Sequence, residues 1–163
     1  MEAKGFTGCI TTPSPPDNMA IIPINLQDGS VAKTSEIIIG IDLGTTNSLV
    51  AYKKGEQAHC VKSADGTNAL MPSVVHFAAD NTVVVGDAAK AKLITDPGNT
   101  IYSVKRLMGK SYQDVADLQG FLGYKILDDD TESLVKVRVR ERYFTPVELS
   151  ADILRALKRR IET

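Results

Sequence analysis

At Asp42 an apolar run, Ile37 to Ile41, ends in a carboxylate, and Gly44, Thr45, Thr46 and Asn47 follow one residue later. A carboxylate at the end of a strand buried on both faces is costly unless it is paired or faces a cation. Gly44 permits unusual backbone angles and the close approach of a ligand. Successive backbone N–H groups in such a turn form an anion-binding concavity, and Thr45, Thr46 and Asn47 add side-chain donors. Phosphate donors beside a carboxylate belong together if a hard cation lies between them. Mg²⁺ meets that need, because it retains most of its waters while bridging phosphate oxygens to one carboxylate. The turn therefore reads as a Mg-nucleotide site. It is not a Walker loop, since the chain contains no G-x-x-x-x-G-K-[ST]. The competing reading is a tight hairpin whose Asp caps its own turn.

These residues need a frame that holds the turn rigid. Ile37 to Ile41 is a short β-branched run that predicts a strand covered on both faces. Asn47 to Tyr52 resumes as a second strand, making a hairpin with the Gly-Thr-Thr segment at its turn. Ala58 to Lys62 reads as a third strand, and 64–72 as loop. Ser73 to Phe77 and Thr82 to Gly86 read as two strands around a turn. Asp87 opens a short helix through Thr95. Ile101, Val104, Leu107 and Met108 fall at helical spacing, with Asn99 as a cap. Ser111 caps a further short helix through Leu118. Tyr124 to Leu127 and Leu134 to Arg140 read as strands, the second alternating apolar with basic residues. Its charged face is expected to be solvated, since no aromatic residues are interleaved for nucleic acid. The last segment carries the clearest helix signals: Thr145 as N-cap, Pro146 at the first position, Glu148 closing a capping box, and Phe144 with Leu149 as a hydrophobic staple. Leu149, Ile153, Leu157 and Ile161 line its apolar face.

The bulk properties exclude several classes. The 163 residues suit one domain, with 43% apolar and 24% charged residues and a net charge of -1. That balance gives no electrostatic case for nucleic acid or an acidic membrane, and no apolar run is long enough to cross a bilayer. Cys9 and Cys60 have neither the number nor the spacing of a disulfide framework or a metal site, and read as free thiols of a cytoplasmic protein. Residues 1–36, rich in proline and small polar residues, read as a disordered leader. They lack Arg and carry Glu2, Asp17, Asp28 and Glu36, unlike a mitochondrial presequence. Met19 is an alternative start.

The stretch "GIDLGTTNSLVA" is similar to the first phosphate loop of the actin-like ATPase superfamily. More closely, it resembles the seventy-kilodalton heat-shock chaperones of the DnaK type. "NTIYSVKRLMGKSYQDV", "MPSVVHF" and "VVGDAAKAKLITDPGNT" match that family in order and spacing. The resemblance runs from about Glu36 to the chain end, and is loose between Ala116 and Tyr143. It implies an α/β, actin-like (ribonuclease H-like) fold that is incomplete here: the phosphate-loop hairpin of the first lobe plus its mixed α/β subdomain, over 37–163. By the same resemblance, Asp42 would hold Mg²⁺ through its waters. Gly44, Thr45, Thr46 and Asn47 would cradle the β- and γ-phosphates of ATP or ADP. Lys105 matches the catalytic lysine that reaches the γ-phosphate and the attacking water. Arg106 is a surface or interlobe ion-pair candidate, and His59 and His76 are expected to be hydrogen-bonded structural residues.

"SVKRLMG", "PSVVHF", "LSADILRAL" and "MAIIPINLQDG" are like the HscA-type branch, the chaperones of iron–sulfur cluster assembly. The family implies a J-domain cochaperone and unfolded or scaffold-protein peptide clients for the full-length parent, with no nucleic acid or membrane partner. Two relatives of the same superfamily are the alternatives. A sugar kinase shares the D-x-G-T-T/S loop but needs an Asp base, and "KRLMG" is not its segment. An actin-like cell-shape filament more often carries Ala where this chain has Thr46. The second phosphate loop, the catalytic acid before it and the adenosine-binding residues do not occur. The 163-residue product is therefore expected not to hydrolyse ATP, to bind it weakly or not at all, and to leave a sheet edge unpaired.

Overall fold

The protein is described from a computed structural model covering residues 37–127 and 134–162. The leader expected over 1–36, Cys9 and Met19 lie outside the described residues.

A three-strand meander begins the fold: β1 (Ile39–Asp42), β2 (Asn47–Lys54) and β3 (Gln57–Cys60), in the order β1-β2-β3. β1 and β2 form the expected hairpin, with Asp42 opposite Leu49. A two-residue strand β4 (Met71–Pro72), inside the segment expected to be loop, pairs with the start of β2. A second sheet holds β5 (Val74–Phe77) between β6 (Val83–Val85) and β7 (Thr100–Tyr102). The third is the antiparallel sheet of β8 (Lys125–Leu127), β9 (Lys136–Val139) and β10 (Arg142–Phe144). Among the described residues two α-helices complete the set, α1 (Asp87–Lys90) and α2 (Pro146–Glu162).

Helix α2 forms as the sequence dictates. The Thr145 backbone N–H donates to Glu148 Oε2 at 2.7 Å, and the Glu148 N–H returns a bond to Thr145 Oγ1 at 3.2 Å, a reciprocal capping box. Leu149, Ile153 and Leu157 are fully buried, and α2 packs against β2, β5 and β6. The core joins these residues to Val50, Val75, Ile101, Leu107, Tyr124 and Val137. Tyr124 is buried, and its hydroxyl donates to Tyr102 O at 2.6 Å. Burial, and then Tyr102 nearby, raise the phenol above its ordinary range.

Four expectations are corrected. Ile37 to Ile41 is not covered on both faces: Ile37 is 68% exposed and Ile41 46%, because β1 pairs only with β2 among the described residues. Asp42 is correspondingly exposed, so the burial cost invoked for it does not arise.

Thr100 to Gly109 is not a helix. Residues 100–102 join β5 as β7, Ser103 turns left-handed at φ 57°, and a 3₁₀ turn, Val104–Leu107, follows. Strand pairing overrides the helical spacing, and Thr100 is locked in place by donating Oγ1–H to Asp96 O at 2.6 Å. His76, buried beside it, meets the same oxygen through Nδ1 at 2.9 Å. Since the Thr100 proton is already directed to Asp96, that bond places a proton on His76 Nδ1.

The helix expected from Asp87 to Thr95 is one turn of α-helix followed by turns. The segment capped by Ser111 becomes a 3₁₀ helix only at Ala116–Phe121, after a reciprocal Ser111–Asp114 turn.

Candidate functional site

The turn between β1 and β2 is held from below by a ring of three hydrogen bonds. Gly44 N–H donates to Ser48 Oγ at 3.1 Å. Ser73 Oγ donates to Gly44 O at 2.9 Å. The two hydroxyls lie 2.8 Å apart, and with the Ser73 proton directed at Gly44 O, Ser48 must be the donor between them. Both serines are essentially buried, at 1% and 3% exposure, while the two bonds to Gly44 are part-buried. Ser73 N–H also donates to Thr46 O at 2.9 Å. Ser73, the residue between β4 and β5, thus fixes both the Gly44 peptide and the far side of the turn.

Gly44 is required by space. A Cβ built there would sit 2.0 Å from the Asn47 carbonyl oxygen, a backbone atom that cannot move aside without opening the turn. No hydrogen bond engages the Thr45 or Thr46 N–H groups among the described residues. Thr46 and Asn47 are exposed and Thr45 half-buried. These are solvent-facing donors on a fixed backbone, which is what an anion site needs. The Gly44 N–H is not one of them, because Ser48 holds it. Gly44 contributes by its absent side chain.

The 3₁₀ turn Val104–Leu107 delivers Lys105 to this loop. Val104 and Leu107 are buried and anchor the turn, while Lys105 faces solvent. Its Nζ donates to Leu43 O at 3.0 Å, across 62 residues of sequence. An ammonium has three N–H donors, so two remain for a ligand at the mouth of the turn. Asp42, on the same hairpin, has no basic partner among the described residues. The structure thus brings together all six sequence-derived residues, Asp42, Gly44, Thr45, Thr46, Asn47 and Lys105, at one end of the hairpin.

A single exposed carboxylate suits Mg²⁺ held through its own waters and phosphate oxygens. No cluster of three His, Cys, Asp or Glu residues able to hold a metal unaided occurs among the described residues. The cavity flanking the loop, bounded by Thr45, Asn47, Ser73, Lys90, Leu93 and Tyr102, holds about 150 Å³. Small-molecule pockets run to roughly 300–1,000 Å³. The loop can receive a phosphate group, but this cavity does not enclose a nucleoside.

Ser48 and Ser73 are the residues that sequence reasoning overlooked. Alternation along β2 places Ser48 on the same inward face as Val50, and a buried hydroxyl needs a partner. That signal was present, whereas the identity of the partner was not. Arg106 is exposed and has no acidic partner among the described residues. His59 stacks on Tyr52 with ring centroids 5.7 Å apart.

Residues 38–163 match the family model described as Hsp70 protein. Over 126 residues, 77% of its length, the chain is 44% identical to "Chaperone protein HscA homolog" of Azoarcus sp. (strain BH72). It spans 20% of the length of that relative. With the family model covering most of the chain, and the phosphate-loop and lysine segments both lying inside the match, this protein belongs to the Hsp70 family.

Proposed function

We propose that residues 37–163 supply the first phosphate-binding loop of an actin-like, ribonuclease H-like ATPase domain in an ATP-dependent chaperone. The observation that carries this reading is the Lys105 Nζ bond to Leu43 O at 3.0 Å. It sets a cation beside the free Thr45 and Thr46 N–H groups. Bound Mg²⁺ would screen charge between the phosphates. Asp42 would hold that ion through its waters, Thr45, Thr46 and Asn47 would bind the phosphate oxygens, and Lys105 would supply positive charge for the transferred phosphoryl group. Phosphoryl transfer depends on such positioning and electrostatics rather than on covalent help from the protein.

The similarity to an HscA homolog supports the finer reading, a chaperone of iron–sulfur cluster assembly. Its partners would be a J-domain cochaperone and unfolded or scaffold-protein peptides, and its place the cytoplasm. No helix among the described residues is long and apolar enough to cross a membrane.

A chimera tests the site reading: the Azoarcus protein carrying residues 38–163 in place of its matching segment. Fluorescent ADP should bind the chimera with Mg²⁺ and lose affinity when the ion is chelated. Binding that ignores Mg²⁺ and Asp42→Asn alike would remove the proposed role of the loop.

A further inference from the structure

The outward face of the β8–β9–β10 sheet carries cations that neither the core nor the nucleotide reading uses. Val137 and Val139 point into the core, with Val135 before them. The alternate strand positions Lys136 and Arg138 point out, while Arg140, past the end of β9 at φ 53°, donates Nη2–H to Phe77 O at 3.3 Å. Lys125 on β8 lies directly opposite Arg138 in the ladder, a like-charge pair that weakens a sheet. Acidic compensation is thin. Glu141 Oε1 is 3.7 Å from Arg138 and Asp96 Oδ2 is 3.8 Å from Arg140, while Lys125 and Lys136 have no acidic partner among the described residues. In a chain of net charge -1 this is a local concentration of positive charge.

The face is also concave. Gly98, Gly123, Lys125, Arg138, Arg140 and Glu141 enclose a cavity of about 360 Å³. It lies at the Lys125 end of β8. Lys136 and Arg138 lie two residues apart on β9, a repeat of about 6.8 Å along a strand. An extended peptide with acids at alternate positions has the same repeat. Tyr143, opposite Arg138, is the one aromatic side chain in that row, which falls short of a stacking platform for bases.

We infer that this sheet face is a docking surface for an extended acidic peptide segment of a partner protein, whose carboxylates lie over Lys125, Arg138 and Lys136. A directly opposed Lys–Arg pair that weakens the sheet is intelligible if an acid from outside neutralises it.

The test titrates the 163-residue chain into fluorescein-labelled (Glu-Ser)₄, with (Gln-Ser)₄ and an oligothymidine as comparison probes, read by anisotropy. The acidic peptide should bind at low salt, weaken as salt shortens the Debye length towards about 3 Å, and lose affinity on the order of tenfold in K125E/R138E. K125Q/R138Q should show a smaller loss in the same direction and carries the test if the reversal variant misfolds. The Lys125→Glu change alone should leave the thermal midpoint unchanged or higher, which separates lost binding from lost folding. Equal binding of (Gln-Ser)₄, unchanged affinity in both double variants, or tighter binding of the oligothymidine through the same residues would overturn the inference.

Discussion

Replacing Ser73 by Ala removes the donor to Gly44 O and the acceptor for Ser48 Oγ–H, two bonds of 2.9 and 2.8 Å at a site 3% exposed. A net hydrogen bond contributes about 0.5–1.5 kcal/mol, and an orphaned buried group costs about 1–3. Water can reach half-buried Gly44, which places the expected loss near the middle of that range, about 2 kcal/mol. For a domain of this size that is a fall in Tm of about 8 °C. Ser48→Ala should cost a similar amount, because it orphans the Gly44 N–H. The double variant leaves only the two Gly44 groups unmet, so its cost should fall short of the sum of the singles by about 1 kcal/mol or more. Urea unfolding followed by circular dichroism gives all three values, with an unchanged slope showing that stability alone has moved. Amide exchange at Gly44 should quicken in both singles. Losses below about 0.5 kcal/mol that simply add would mean that the ring does not hold the turn.

Other residues give independent expectations. Gly44→Ala must displace the Asn47 carbonyl by roughly 1 Å to relieve a 2.0 Å contact, and a misplacement of that size should lower turnover of the chimera about a hundredfold and, because it opens the turn, lower its Tm as well. Thr145→Ala should destabilise α2 by about 1 kcal/mol in urea unfolding. The Glu148 carboxylate is held below its ordinary pKa first by the Thr145 backbone N–H and then by its hydroxyl. Its stabilising contribution is therefore complete above the unfolded-state pKa and disappears as pH falls through the lower folded one. Glu148→Gln should remove that acid-side dependence, seen by repeating the unfolding from neutral pH to pH of about 3. Lys125→Glu should raise stability by about 0.5 kcal/mol by turning the pairing with Arg138 favourable.

The hairpin and the capped helix were legible in the sequence because local chemistry decides them. Gly44 and the polar turn between two β-branched runs leave few alternatives, and Thr145 with Glu148 closes a bond pattern confined to four residues. Lys105 was found only through resemblance, since one exposed lysine on a short turn has no signature of its own.

The misreadings share a different cause. Ile37 to Ile41 signals an apolar face but not whether other residues cover it. Residues 100–109 satisfy helical spacing, yet Thr100 and Ile101 pair with β5, whose register no local pattern encodes. The Ser48–Ser73 contact joins residues 25 apart, and only the folded chain reveals it. β10 was missed because Arg142 to Phe144 is short and its alternation is hidden by exposed Tyr143.

The central claim is that the turn after Asp42, with Lys105 beside it, acts on the phosphates of ATP. Steady-state Mg-ATP hydrolysis by the chimera, with and without the paired changes Thr46→Ala and Lys105→Ala, tests this most directly. The account predicts measurable turnover in the parent chimera and a loss of at least about a hundredfold in the double variant. Turnover that is undiminished after both changes would contradict it.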